Sequence, residues 1–306
     1  MAIKLVVAVT DRDWFDHLSQ RGDLTEVNFW APSGTSVKAL EPGELFLFKL
    51  HAPNNFIVGG GVFAYATNLP CSLAWDAFGG ANGAPTLYAM RERIRRYRRV
   101  AHDDRSDFVI GCRILTQPFF LPASAWIPVP ASWAPNIVAF KTYTTDDFDG
   151  RRLWEDVQAH AQVADNATPP ASGARYGEPM LVRPRLGQGT FRVLVTDIYN
   201  RRCAVTGERT LPALDAAHIR PFGEGGEHAA SNGLLLRRDV HSLFDAGYVT
   251  VTPALRFEVS KRIREEFENG RHYYELHGSA IARPARPELL PDRQSLSWHN
   301  EHRYLG

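Results

Sequence analysis

A run dense in proline, glycine, serine and alanine, DNATPPASGARYGEP at 165–179, constrains the fold more than any other stretch. Proline fixes φ and removes a donor, and glycine is costly to order, so the run continues neither helix nor strand. It also offers few side chains able to bury a core. Each flank must therefore find its core within itself. The chain has 306 residues, enough for two domains of ordinary size. The expected division is a first domain over 1–142, a helix and linker over 143–189, and a second domain over 190–306.

The first flank is rich in strand-like segments. IKLVVAV, ELFLFKL, FIVGGGVFAY, DFVIGCRIL and IVAFKTY are all dominated by β-branched, aromatic and leucine side chains. Helical patterns interrupt them at 72–80 and 86–99, and Asp11 to Leu18 reads as another, with Asp11 or Asp13 as cap. A polar helix is expected over 146–163. Many strands with few helices predict the α+β class, built around a small mixed β-barrel with flanking helices.

Beyond the linker the texture changes. TFRVLVTDIYNRR is an amphipathic helix with Phe191, Leu194, Val195 and Ile198 on one face. LDAAHI then reads as a strand that Pro221 ends, GEGGEH as a flexible loop, and NGLLL as a second strand. RDVHSLFDAG reads as a helix with Asp239 near its start and Gly247 closing it. The order is strand, loop, strand, helix.

Charge and cysteine content narrow the classes. Net charge is only +1, so the total does not mark a polyanion binder. RERIRRYRR at 91–99 nevertheless sets six arginines against one glutamate, and a local patch steers DNA even when the sum is near neutral. Arg91, Arg95, Arg96, Arg98 and Arg99 are candidate phosphate contacts, with a plain solvated helix face as the alternative. Cys71, Cys112 and Cys203 are far apart and form no CxxC pair, which fits a reducing, cytoplasmic setting. The N-terminal run reads as a strand rather than a secretory leader. No stretch reaches the roughly 18 apolar residues of a membrane span, so no membrane partner is expected.

His218 on the first strand, Asn232 before the second and His241 on the helix look placed rather than scattered. His241 and Asp245 are i and i+4 and share a helix face, a pair able to grip one cation. His228 belongs to no such spacing and reads as a surface residue. Residue types, spacing and element order together resemble the HNH endonucleases, whose site is a ββα-metal finger. The lead-in GQGTFRVLVTDIYNRRCAVTGE resembles the branch bearing an AAHI-type motif, and the likeness covers about 190–260. The resemblance implies that His218 is the general base, that Asn232 holds the loop and helps orient that base, and that His241 binds a divalent metal, Mg²⁺ or Mn²⁺ first. The chemistry is consistent. Histidine titrates where a water must be deprotonated near neutral pH, and a divalent ion stabilises the leaving oxygen.

Two departures stand out. Many such sites carry His or Asp immediately before the base, where this chain has Ala217. Asp215, two residues away on the same strand face by period, is the substitute ligand, and Asp245 is its competitor. Some relatives tie the finger with paired cysteines around zinc. Only Cys203 is present here, so no structural zinc is expected.

VNFWAPSGTSVKALEPGELFLFKLHAPNNFIVGGGVFAYA is similar to the PUA superfamily, and within it to EVE and SRA-like readers of modified bases. Trp30, LEPGELFLFKL and IVGGGVF carry the likeness, over about 1–142. Such a reader flips a base onto an aromatic wall and reads its edge with a polar group. Trp14, Phe29, Trp30, Trp75 and Phe78 are candidate walls, and Asp76, Asn82 and Ser33 are candidate edge readers. Trp30 leads because it abuts the APSG loop.

Together these resemblances imply a modification-dependent DNA endonuclease that cuts double-stranded DNA near 5-methylcytosine or 5-hydroxymethylcytosine. One finger cuts one strand, so a homodimer is a natural partner state. The competing readings are an HNH nuclease whose first domain reads unmodified DNA or RNA structure, and a non-catalytic PUA-type RNA-binding protein.

Overall fold

The computed structural model describes residues 2–34, 40–101, 104–165 and 186–306. The chain forms two compact units, Met1–Arg185 and Leu186–Gly306. Most of the expected linker, from 166 onward, lies outside the described residues.

In the first unit, β1 (Lys4–Thr10) leads into α1 (Arg12–Ser19) and then β2 (Glu26–Ala31), β3 (Leu45–Leu50) and β4 (Phe56–Pro70). Helices α2 (Cys71–Phe78) and α3 (Leu87–Arg98) precede β5 (Val109–Phe120), β6 (Ile127–Pro128), β7 (Phe140–Thr144) and α4 (Phe148–Asp165). The strands form one sheet in the order β2-β5-β4-β3-β1-β7, with β6 on β4. β1 and β3 are parallel and the other pairs antiparallel.

β1 is apolar at every step because both of its faces are covered. Val6 and Ala8 pack with Trp14, Phe15 and Leu18 of α1. Leu5 and Val7 pack on the other side with Leu153 and Val157 of α4. The three consecutive glycines of β4 let strands approach closely. A Cβ at Gly59 would lie 2.3 Å from the Phe119 carbonyl oxygen, and one at Gly60 2.7 Å from that of Phe46. Register shifts between Gly60 and Val62 and between Phe63 and Tyr65 bend this long strand. The expected barrel is not closed: among the described residues no ladder joins β2 to β7. The sheet is mixed and strongly bent, with helices on both faces rather than a sealed circumference.

The second unit opens with α5 (Gln188–Ile198), followed by the hairpin β8 (Leu214–His218) and β9 (Gly233–Arg237) and then α6 (Arg238–Asp245). A second hairpin, β10 (Val249–Val251) with β11 (Phe257–Val259), is followed by α7 (Arg262–Phe267), α8 (Arg271–Tyr274) and α9 (Arg293–His302). Phe191 and Val195 of α5, Leu234 and Leu236 of β9, Val240 and Phe244 of α6 and Leu296 of α9 share one core. Gly233 is required there, since a Cβ would meet Val195 at 2.4 Å. Gly247, at φ +80°, ends the turn after α6 as the sequence predicts. No described helix is long and apolar enough to cross a membrane.

Candidate active site

β8 and α6 lie side by side in the second unit and present their polar side chains to one cavity of about 570 Å³. Asp215, His218, His241, Asp245 and Arg192 all line it. Asn232 does not. It is buried, and its side chain clamps the loop between the strands. Its Oδ1 accepts the Arg220 N–H at 2.9 Å, and its Nδ2 donates to the carbonyls of Arg220 and Glu227, each at 2.9 Å. The flexible GEGGEH segment thus has a fixed return path. Gly225 supplies a left-handed turn at φ +84°, and a Cβ at Gly226 would strike the Arg220 carbonyl.

That return path brings in a residue that spacing missed. His228 Nδ1 lies 2.9 Å from His218 Nε2. Phe191 stacks on the His218 ring at 3.9 Å and 10°, and Phe222 stacks on His228 at 4.6 Å and 7°. His228 is therefore not a lone surface residue, and the expectation that it stands alone is corrected. The only sequence signal is its place at the end of a glycine-rich loop that returns to the first strand. Burial, helped by the charges of His228 and His241, pushes the His218 pKa down to about 4. At neutral pH the ring is an uncharged imidazole with a lone pair.

His241 sits between two carboxylates, with Nδ1 3.6 Å from Asp215 and Nε2 3.3 Å from Asp245. Burial pushes its pKa down, but the Asp215 hydrogen bond and the charges of both carboxylates outweigh that and raise it. Asp215 is lowered by the His241 hydrogen bond against the opposing effect of burial, with Arg192 3.8 Å away assisting. The period-two expectation for this strand needs correcting. Asp215 faces the cavity while Ala217 is buried in the core. Two-stranded ribbons twist strongly, so residues two apart need not share surroundings.

The first unit holds a separate cavity of about 330 Å³ between β1, α1, β2 and α3. Trp14, Phe29, Trp30 and Ser33 line it, as does Asp11. Asp11 occupies the N-cap position of α1 but makes no capping bond. Its carboxylate instead accepts the Tyr97 hydroxyl at 2.5 Å, and His51 lies 3.4 Å away. Trp75, Asp76, Phe78 and Asn82 do not line this cavity. Asp76 is exposed, and Phe78 is buried on α2. Asn82 is fully buried, bonding Asn28 and the carbonyls of Ala74 and Gly79. Its own carbonyl accepts the Trp30 indole N–H at 2.8 Å, which fixes the wall rather than reads a ligand.

Residues 203–252 match the family described as HNH endonuclease. This segment is an HNH endonuclease domain. The match spans β8, β9, α6 and β10, and so includes His218, Asn232 and His241. A protein carrying such a domain is a nuclease. No curated protein matches the chain. Among solved structures, the ASCH protein of Zymomonas mobilis superposes with TM-score 0.33 at 9% identity, over 49% of this chain and 94% of that one. The modification-dependent TagI restriction endonuclease superposes with TM-score 0.28 at 15% identity, over 94% of this chain and 78% of that one.

HNH nucleases use a divalent metal. Among the described residues, no group of three or more His, Cys, Asp or Glu side chains is already spaced to hold an ion. The donor types around His241, one imidazole and two carboxylates, suit Mg²⁺ or Mn²⁺ chemically. Cys203 of the HNH domain is buried, and its Sγ accepts the N–H groups of Thr206 and Arg237 at 3.3 and 3.2 Å.

The candidate phosphate-contacting arginines of α3 divide into two kinds. Arg91, Arg95 and Arg98 bind back onto their own unit. Arg91 reaches the carbonyls of Arg105 and Ser106, Arg95 reaches Glu92 and the Asp104 carbonyl, and Arg98 reaches the carbonyls of Pro32 and Val109. Arg96 and Arg99 are exposed.

Proposed function

We propose that the protein is a modification-dependent DNA endonuclease in which the HNH domain hydrolyses the phosphodiester and the first unit binds a flipped, modified cytosine. The observation that carries the hydrolytic half is His218. Its ring is held flat against Phe191, is uncharged at neutral pH, and shares a cavity with His241 and Asp215. As general base it takes a proton from the attacking water. The negative phosphate of a bound strand favours the imidazolium that results. His241 with Asp215 would hold the divalent ion, with Asp245 as the competing carboxylate. The ion supplies positive charge for the phosphate and the leaving oxygen. Arg192, beside Asp215, is placed to contact a phosphate oxygen. Asn232 acts at a distance by fixing the loop.

The reading half rests on the cavity of the first unit. Its walls are aromatic, and its rim carries an acceptor-only carboxylate, Asp11. A strand break on both sides of the duplex requires two HNH domains or two successive nicks, so a homodimer belongs to this reading.

The test is a pair of variants. His218→Ala is expected to lower cleavage by about two to four orders of magnitude while DNA affinity stays within a few-fold. His241→Ala is expected to lose cleavage together with Mn²⁺ affinity by titration calorimetry, and comparing Asp215→Ala with Asp245→Ala ranks the two carboxylates. Wild-type cleavage by His218→Ala would overturn the assignment of the base.

A further inference from the structure

We propose that His228 is a positioning residue that fixes the tautomer of His218, accepting its Nε2 proton so that the Nδ1 lone pair is left facing the cavity. The proposal rests on the reading of His218 as general base.

A neutral imidazole carries one N–H and one lone pair. A base needs its lone pair on the nitrogen that meets the water, so the other nitrogen must carry the proton and needs an acceptor. The 2.9 Å contact between His218 Nε2 and His228 Nδ1 provides one. Among the described residues the His218 ring makes no second hydrogen bond, so Nδ1 is the nitrogen left for water. The Phe191 stack holds the ring plane and opposes a flip that would exchange the two nitrogens.

His228 is itself held in place. Asn232 Nδ2 anchors the carbonyl of Glu227, the residue just before it, and Phe222 stacks flat on its ring. Asn232 therefore reaches the base through the loop and His228. During the reaction the proton leaving the water bonds to Nδ1, and Nε2 keeps its own. The Nε2–H···Nδ1 bond to His228 then becomes charge-assisted and strengthens as the imidazolium forms.

The deciding measurement uses the ¹⁵N-labelled full chain, metal-free and near neutral pH, with long-range ¹H–¹⁵N correlation of the histidine rings. Wild type is expected to show His218 as a single Nε2–H tautomer. His228→Ala is expected to show a tautomer mixture, while His228→Asn, which keeps an acceptor oxygen close to the lost Nδ1, retains the single form. In cleavage, His228→Ala is expected to lower kcat about ten- to a hundredfold, the scale of losing a partner that orients a site group. KM for DNA stays within about twofold, and His228→Asn recovers most of the rate.

An Nδ1–H tautomer in wild type overturns the proposal. So does an unchanged tautomer in His228→Ala, or equal impairment of both variants with a lowered Tm. If no form of the protein cuts DNA, the nuclease mechanism fails, while the ring spectra still decide the His228–His218 pairing.

Discussion

Asp11 shows what a single residue can hide from sequence. An aspartate before an amphipathic run reads as a helix cap, and it does stand at the N-cap of α1. A cap is ordinarily worth about 0.5–2 kcal/mol, yet this carboxylate faces away from the helix, towards Tyr97 and His51 at a cavity rim. With acceptors only, it suits the exocyclic amine of cytosine and disfavours the O4 of thymine. Asp11→Asn is expected to weaken binding to a cytosine-modified duplex about tenfold or more, on the scale of ~1–3 kcal/mol for a good base-edge contact. Trp30→Ala is expected to do the same by removing a stacking wall worth about 1–3 kcal/mol. Neither should alter binding to the unmodified duplex. Gel shifts on paired duplexes check this, and undiminished discrimination in both variants would place the reader elsewhere. His218, Asn232 and His241 were legible because their spacing matches a strand, a loop clamp and a helix. His228 was not, since its partner exists only once Asn232 has folded the loop back. Trp75, Phe78 and Asn82 looked like pocket residues because burial of an aromatic or amide side chain does not say which side of a helix buries it.

At the scale of elements, long periodic segments were legible and short ones were not. The strands of the first unit, α3, α5 and the β8–β9–α6 order all follow from side-chain period. β10 and β11 have three residues each, too few to show alternation, and α9 has a weakly amphipathic sequence. Yet α9 supplies His299, which is 2% exposed and stacked on Phe244. Its ring bonds the Thr250 hydroxyl at 2.8 Å and the Phe244 carbonyl at 3.1 Å, tying α9 to β10 and α6. Burial lowers its pKa to about 4, against the Phe244 bond and with Arg303 assisting. The folded value lies below the unfolded one near 6.5. The unfolded chain therefore binds more protons between these limits, and stability present above pH ~6.5 is lost as pH falls towards 4. His218 acts in the same direction. The Tm of metal-free protein is expected to fall from pH 7 to 5, and to fall less steeply in His299→Gln. A wild-type Tm that stays flat across that range would contradict this account of the α9 anchor.

For the whole molecule, the sequence indicated two cores from one proline- and glycine-rich run, and the chain does form two compact units. Barrel closure was not legible, because strand content does not tell which outer strands pair. Nor was the division of the α3 arginines, since an arginine that binds its own backbone looks identical in sequence to one that meets DNA. The account assigns reading to one unit and cutting to the other, so its central claim concerns their joint behaviour. The most direct measurement is a digest of matched plasmids carrying cytosine, 5-methylcytosine or 5-hydroxymethylcytosine, with Mn²⁺ or Mg²⁺ and with chelator. Cleavage of a modified plasmid, dependence on the metal and sparing of the unmodified plasmid are the predicted result. Equal cleavage of all three plasmids, or cleavage that persists in chelator, would contradict it.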